Sequence, residues 1–304
     1  MLDADMRGFE QSRNLGAMRA RMVQASPDEL ATAAGWLWRS WLALIDDELA
    51  QAKDLAGRGL SEHPDSVDLM LHQSVLDLAE AGNSGAMAMM SLARRLRQNF
   101  ERAVELEPDH VAARQALIQF YLNAPRIAGG GVRRAQPHLR YLEQLSPEAY
   151  FELRAQMSLM DGDINDALGW LDQAAAQRSS PSVLFSRAMI LQSADRHTDA
   201  KEVLQALVDE WPEHAGGWYQ LGRVSALAEA WLDEGLEAFD RFLDLPVWPG
   251  DPSPAAAWWR KGQLHMMNQS ADLARQAFER SLELDPEFSN ARVSLEALMS
   301  SAEG

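Results

Sequence analysis

The sequence is marked first by what it lacks. It contains no cysteine, which excludes disulfide bonds, a thiol nucleophile and thiolate ligands for a metal. Basic residues are scarce, because 28 lysines and arginines stand against 45 acidic residues, and the formal net charge is −17. This charge disfavours binding to a nucleic-acid backbone or to an anionic membrane surface. No run approaches the roughly 18 consecutive apolar residues of a membrane helix, so direct membrane insertion is not expected.

Signals for targeting, catalysis and metal binding are also missing. The N-terminal sequence lacks the basic and apolar regions of a signal peptide, which predicts a cytoplasmic protein, or a periplasmic one if a leader precedes it. The histidines form no His-x-x-x-His pair, and neither a Gly-Lys-Ser/Thr phosphate loop nor a Gly-x-Ser-x-Gly elbow occurs. The sequence therefore predicts a protein without a metal, without a cofactor and without enzymatic activity.

What the sequence does contain is a regular spacing of prolines. Six of them each follow an amphipathic stretch: Pro64, Pro108, Pro147, Pro212, Pro246 and Pro286. Because proline has no N–H for an internal helix bond, these positions indicate helix ends. Pro246 follows Pro212 by 34 residues, and Pro286 follows Pro246 by 40 residues. The six additional residues are a turn-rich insertion at 249–254. A period near 34 residues is typical of a helical solenoid.

The residues between these prolines repeat in register. Four units share the same pair of residues, a large residue that is expected in the core between two helices and a small residue four positions later. The pairs are Trp36 and Ser40, Leu184 and Ala188, Trp218 and Gly222, and Trp258 and Gly262. A small residue recurs on the second helix of these units at Ala52, Ala200 and Ala274. Small residues at a helix crossing let two helices approach closely, and stacked neighbours then bury the remaining apolar surface.

This pattern resembles the tetratricopeptide repeat (TPR) family. The resemblance implies an all-α fold, a right-handed TPR superhelix (an α-solenoid) of about seven helix-turn-helix units with N- and C-terminal capping helices. The stretch from Ala124-Pro125 to Gly129-Gly130 is in addition similar to a loop of uncharacterised TPR proteins from Gram-negative bacteria, which implies a bacterial source.

The chain can be divided on the same spacing. An N-terminal helix, near residues 9–24, is expected within 1–32, and a C-terminal capping helix is expected at 289–304. The TPR array at 33–288 is expected to comprise units at 33–66, 67–108, 109–147, 148–180, 181–214, 215–254 and 255–288.

The resemblance also implies which residues line the concave inner wall. Reading the wall positions of the first helix in each of the last three units gives a candidate peptide groove: Phe185, Met189, Tyr219, Arg223, Trp259, Arg260, Gln263 and Met266. Aromatic and methionine side chains with a few guanidinium groups suit a bound peptide. The alternative is that these side chains only pack against one another inside a closed superhelix.

A glycine-rich stretch offers a second candidate site. Gly129, Gly130 and Gly131 precede a predicted helix that begins with Arg133 and Arg134, so this loop could bind an anion. The alternative is a flexible turn that lengthens one connection between two helices.

These observations leave two functions open. The first is a non-catalytic scaffold that binds another protein or a peptide in the concave groove. The second is a TPR accessory subunit that binds a small molecule or serves a bacterial envelope or transport system. The lysine and asparagine of the TPR clamp for acidic chaperone tails are absent from the corresponding positions, so a chaperone-adaptor role is not expected.

Overall fold

The fold is all-α, as the sequence predicted. A computed structural model describes residues 1–11, 14–81, 85–177, 180–248 and 250–302. Within those ranges every regular element is helical and no β-strand occurs. The chain forms two compact units, Met1–Arg178 and Ser179–Gly304. The unit boundaries of the repeats drawn from the sequence stay a prediction.

The first unit contains eleven α-helices in its described residues. They are α1 (Leu2–Gln11), α2 (Leu15–Val23), α3 (Pro27–Leu30), α4 (Ala33–Ile45), α5 (Leu49–Glu62), α6 (Val67–Ala81), α7 (Ala86–Leu106), α8 (Val111–Asn123), α9 (Val132–Leu145), α10 (Pro147–Met160) and α11 (Ile164–Gln177). A short 3₁₀ turn, Arg126–Ala128, lies between α8 and α9.

The second unit contains seven α-helices in its described residues. They are α12 (Pro181–Ser193), α13 (His197–Glu210), α14 (Ala215–Ala228), α15 (Leu232–Asp244), α16 (Pro254–Met267), α17 (Ala271–Leu284) and α18 (Ser289–Ala302). The last of these is the expected C-terminal helix, of which residues 303–304 lie outside the described ranges. Consecutive helices from α4 to α17 pack in pairs, which is the arrangement that an α-solenoid requires.

The N-terminal segment differs from the single helix expected near residues 9–24. The structure has α1, α2 and the short α3 there, and α2 begins after Asn14, whose side chain accepts a hydrogen bond from the helix and so caps a new start. Met6 of α1 and Met18 of α2 are fully buried. Trp38 of α4 is also buried and donates its indole N–H to Asp3, at 2.8 Å. The N-terminal segment therefore contacts α4 through α1.

The turns within four helix pairs share one geometry. The second residue after the first helix has a left-handed conformation in each case: Asp47 (φ 61°), Gly162 (φ 82°), Asp195 (φ 55°) and Gln269 (φ 55°). The next backbone N–H then bonds a carbonyl five residues earlier, as from Ser270 to His265 at 2.8 Å. This is a Schellman motif, and it satisfies the carbonyls at the helix end. A turn this short requires the paired helices to run antiparallel.

Small residues allow close packing within the pairs, as the repeat predicted. A Cβ added at Gly222 would lie 2.5 Å from the ring of Phe239, and one added at Gly262 would lie 2.3 Å from the ring of Phe278. Both rings are buried. The large residues at the predicted core positions are less uniform: Trp36 is 5 % exposed, whereas Trp218 and Trp258 are only half-buried.

Candidate functional site

The predicted groove residues lie on the first helices of three successive pairs in the second unit. Of these helices, α14 contacts both α12 and α16. The eight residues are Phe185 and Met189 on α12, Tyr219 and Arg223 on α14, and Trp259, Arg260, Gln263 and Met266 on α16.

Tyr219 belongs to the core of its helix pair. It is 8 % exposed, and its ring centroid lies 5.5 Å from that of Phe239 and 5.4 Å from that of Phe242, both in edge-to-face contact. Edge-to-face contacts of this kind stabilise a core beyond the area they bury. A ring enclosed in this way by α15 is not available to stack on a ligand.

Phe185 packs between successive first helices. It is half-buried, and its ring centroid lies 5.3 Å from that of His214, at the start of α14. Gly216 lies beside it, because an added Cβ there would stand 3.2 Å from the Phe185 ring. Met189, one turn further along α12, is also half-buried.

Arg223 is held by two amide side chains. Its Nη1 donates to Oε1 of Gln192 at 3.3 Å and to Oε1 of Gln220 at 3.2 Å. Both glutamines are buried, and the Nε2 of Gln192 has no hydrogen-bond partner among the described residues. No described carboxylate lies within 4 Å of the Arg223 guanidinium. The positive charge is therefore positioned by neutral groups and is not neutralised by an ion pair.

Trp259 contacts the C-terminal helix. Its indole N–H donates to Oγ of Ser294 on α18, at 3.0 Å, and its ring centroid lies 5.9 Å from that of Phe288. The guanidinium of Arg260 lies over the indole, 4.3 Å from its centroid. Trp259 thus supports Arg260 and anchors α18, which leaves it only partly available to a ligand.

Arg260 has the same kind of environment as Arg223. Its Nη1 donates to Oε1 of Gln263 at 2.9 Å, and no described carboxylate lies within 4 Å of it. Its Nε is buried and has no partner in the described part of the chain. Met266, six residues beyond Arg260, is 41 % exposed. Two guanidinium groups on neighbouring helices therefore have amide oxygens as their only hydrogen-bond acceptors among the described residues.

We call Met189, Arg223, Arg260, Gln263 and Met266 the α12–α16 face. Three further residues shape it. Gln192 and Gln220 fall at wall positions of the repeat, so the sequence could have indicated them. Ser294 lies on the C-terminal helix, and no sequence pattern connects it with Trp259.

The glycine loop in the first unit is shaped by close packing. Gly129 has a φ of +97°, and an added Cβ there would lie 2.3 Å from Nη1 of Arg97. A Cβ at Gly130 would lie 1.8 Å from the carbonyl oxygen of Ala124. A larger residue at Gly130 would have to move the backbone, whereas one at Gly129 would be strained by the positive φ and would displace the Arg97 side chain. Gly131 then leads directly into α9.

A cleft of about 530 Å³ lies beside this loop. Its lining consists of Arg126, Gly130, Gly131, Val132, Arg133 and Arg134. The three arginines are exposed, and no described residue forms a hydrogen bond or an ion pair with their side chains. Of the residues that the sequence singled out, Gly130, Gly131, Arg133 and Arg134 line the cleft and Gly129 does not, and Arg126 is added to them.

The remaining classes of site among the described residues are metal centres and membrane-spanning helices. No cluster of three or more histidine, aspartate or glutamate side chains there is arranged to hold a metal ion. None of the helices in that part of the chain combines the length and the apolar character needed to cross a membrane.

The comparisons with known proteins agree with the fold. A family model described as tetratricopeptide repeat matches residues 185–245 and 232–287. The two matched ranges together cover residues 185–287, about a third of the chain, and the all-α fold of the described residues is that of an α-solenoid, a fold that in general serves protein interaction. No curated protein sequence matches the chain.

Several solved TPR structures are similar over most of the chain. IFIT1 with m7Gppp-AAAA aligns with a TM-score of 0.60 and 12 % identity, over 97 % of this chain and 70 % of that chain. Yeast Tom70 aligns with a TM-score of 0.57 and 14 % identity, over 89 % of this chain and 57 % of that one. The Cut9–Hcn1 hetero-tetramer of APC/C aligns with a TM-score of 0.50 and 15 % identity, over 97 % of this chain and 62 % of that chain. At these identities the likeness concerns the fold alone.

Proposed function

We propose that this protein is a non-catalytic scaffold that binds an acidic segment of another protein on the α12–α16 face. The observation that carries the proposal is the environment of Arg223 and Arg260. They lie on neighbouring first helices, and their only hydrogen-bond acceptors among the described residues are amide oxygens. The second unit carries 20 acidic and 10 basic residues, and yet neither guanidinium group has a described carboxylate partner.

The chemistry of the face favours a carboxylate ligand. Arginine presents a planar fork that can bind a carboxylate through two parallel hydrogen bonds, and such charge-assisted bonds are stronger than neutral ones. The amide oxygens of Gln192, Gln220 and Gln263 orient the two guanidinium groups without neutralising them. Met189 and Met266 add flexible apolar surface for the side chains of a peptide.

The alternative is a TPR accessory subunit that binds a small molecule, for example in a bacterial envelope or transport system. Small-molecule sites are mostly apolar and bury most of their ligand. The 530 Å³ cleft of the first unit is instead lined by three exposed arginines. This favours a charged segment of a partner protein over an apolar small molecule.

Selection from a random peptide library tests the proposal. Twelve-residue peptides are selected on the protein carrying R133Q and R134Q, so that the arginine-lined cleft of the first unit does not contribute. We expect peptides that combine glutamate or aspartate with apolar residues, with a Kd on the order of micromolar by fluorescence anisotropy. Adding R223Q and R260Q should weaken binding about tenfold or more, because each substitution removes a charge-assisted hydrogen bond.

A matched control separates the site from the overall charge. R275Q and R280Q make the same change in charge on α17, where both arginines are exposed and form pairs with nearby glutamates. The protein with R275Q and R280Q added should bind the selected peptides as tightly as the protein that carries R133Q and R134Q alone. Selected peptides that bind equally well with and without R223Q and R260Q would place the functional surface elsewhere.

A further inference from the structure

The first unit contains a basic segment in an otherwise acidic chain. Residues 85–145 hold nine arginines and five acidic residues, a net charge of +4, while the rest of the chain carries −21. A local excess of one sign attracts a ligand of the opposite sign even when the whole molecule repels it at long range. The segment covers α7, α8 and α9 and includes the arginine-lined cleft.

The backbone fixes where the cleft arginines stand. The N–H of Gly131 donates to the carbonyl oxygen of Tyr121 at 2.7 Å, and that of Gly130 donates to Pro125 at 3.1 Å. These bonds hold the 3₁₀ turn that carries Arg126 close to the start of α9. Three guanidinium groups therefore converge on one cleft.

The acidic group that bonds to Tyr121, at the end of α8 beside this loop, is already engaged. The carboxylate of Glu101 on α7 accepts a hydrogen bond from the Tyr121 hydroxyl at 2.8 Å, and it lies 3.8 Å from Nε of Arg97. Burial and this hydrogen bond raise the pKa of Tyr121 to about 12. The cleft arginines lack any such partner among the described residues.

Apolar side chains lie beside the arginines. Ile127 is 79 % exposed and Val132 is 50 % exposed, although both belong to the loop and helix that form the cleft. Exposed apolar side chains next to unpaired charges are typical of a docking surface, where the apolar contacts supply affinity and the charges select the partner.

Basic side chains continue along α9. Arg140 follows Arg133 by seven residues, so the two share a helix face about 10 Å apart. Arg140 lines a second cleft of about 260 Å³ together with Arg154. The two carboxylates of that cleft belong to Asp161 and Asp166, of which Asp166 already accepts hydrogen bonds from Ser158 and Trp170. An extended peptide covers about 10 Å in roughly three residues.

We infer that the cleft formed by Arg126, Arg133 and Arg134 is a docking site for an acidic segment of a partner protein. The acidic segment of the partner carries carboxylates about three residues apart, and apolar residues between them contact Ile127 and Val132. This site is separate from the α12–α16 face and does not depend on the function proposed for it.

A synthetic peptide tests this site directly. The probe is a fluorescein-labelled twelve-residue peptide that repeats Glu-Leu-Gly, and a matched peptide repeats Gln-Leu-Gly. Binding is measured by anisotropy on the protein carrying R223Q and R260Q, so that the α12–α16 face is removed. We expect the glutamate peptide to bind with a Kd in the tens of micromolar and the glutamine peptide to bind at least tenfold more weakly.

Substitutions in the cleft complete the test. Adding R133Q and R134Q should weaken binding of the glutamate peptide at least tenfold, and circular dichroism should show unchanged helix content because both arginines are exposed. The charge-matched control R275Q and R280Q should leave binding unchanged. Equal binding with and without R133Q and R134Q would overturn the inference, and so would equal binding of the two peptides. Binding of inorganic phosphate or of a single-stranded oligonucleotide, with no binding of the glutamate peptide, would also overturn it.

Discussion

A buried histidine makes the stability of the first unit depend on pH. His72 of α6 is 5 % exposed, and its Nε2 lies 2.8 Å from Oγ of Ser40. The Ser40 hydroxyl donates to the carbonyl oxygen of Ala52, so the histidine must donate its N–H to Ser40. Burial lowers the pKa of His72 from 6.5 to about 4. The folded state therefore holds this ring neutral over a range in which the unfolded chain protonates it.

The loss of stability should fall between pH 6.5 and pH 4. In that window the unfolded state binds more protons, so the free energy of unfolding decreases as the pH is lowered. We expect His72 to account for about 2 kcal/mol of the decrease between pH 7.5 and pH 5. Urea unfolding of the wild type and of His72→Gln at both values measures it. Identical pH dependence of the two proteins would contradict the assignment.

Residue by residue, the sequence predicted the helix crossings better than the groove. Gly222 and Gly262 were identified from the repeat, because only a small residue fits against the rings that face them. Trp218 and Tyr219 are adjacent aromatic residues, and the repeat assigned the first to the core and the second to the groove. The structure buries Tyr219 against Phe239 and Phe242 and leaves Trp218 half-buried. Which of two adjacent rings enters the core depends on the facing helix, and this is not encoded locally.

Among the structural elements, the shared turn of the helix pairs offers a route to higher stability. Gln269 occupies the left-handed position between α16 and α17 with a φ of +55°, where the equivalent residue of α10–α11 is Gly162. A side chain with a Cβ is strained in this conformation, and glycine is not.

Gln269→Gly should raise the free energy of unfolding by roughly 0.5–1 kcal/mol, because relief of strain exceeds the added freedom of the unfolded chain. Thermal or urea unfolding measures the change. The control is Asn268→Gly, one residue earlier, where φ is −84° and glycine brings no relief. This control should not stabilise the protein. A decrease in stability for Gln269→Gly would mean that the turn has another conformation.

The prolines and the repeat predicted which helices form. They did not predict two features, the separate helices of the N-terminal region and the contact of the last helix with Trp259. The N-terminal region has separate helices because Asn14 caps a new start, and a capping residue can be overlooked inside an amphipathic pattern. The contact of α18 with Trp259 depends on Ser294, whose type carries no pairing signal. Sequence reasoning thus placed Trp259 toward a ligand, although its indole N–H bonds to the last helix.

At the scale of the whole molecule, the net negative charge lowers the stability of the fold, whereas the local positive charge of the proposed sites favours binding of acidic peptides. Both units are acidic overall, with net charges of −7 for Met1–Arg178 and −10 for Ser179–Gly304. Like charges destabilise a compact chain, and salt weakens this repulsion. Several ion pairs of the described residues are exposed on both sides, as between Arg102 and Asp65, and such pairs contribute little.

Raising the salt concentration should therefore raise the Tm while it weakens peptide binding. Between 20 mM and 300 mM NaCl the Debye length falls from about 20 Å to about 6 Å, so repulsion across the acidic surface is largely screened. We expect a Tm increase of a few degrees by differential scanning fluorimetry. Over the same range the affinity of both arginine sites for acidic peptides should fall several-fold, because their charge-assisted contacts are partly exposed. A Tm that falls with salt would mean that favourable ion pairs outweigh the net repulsion. Binding that does not change with salt would mean that apolar contacts, and not the arginines, supply the affinity.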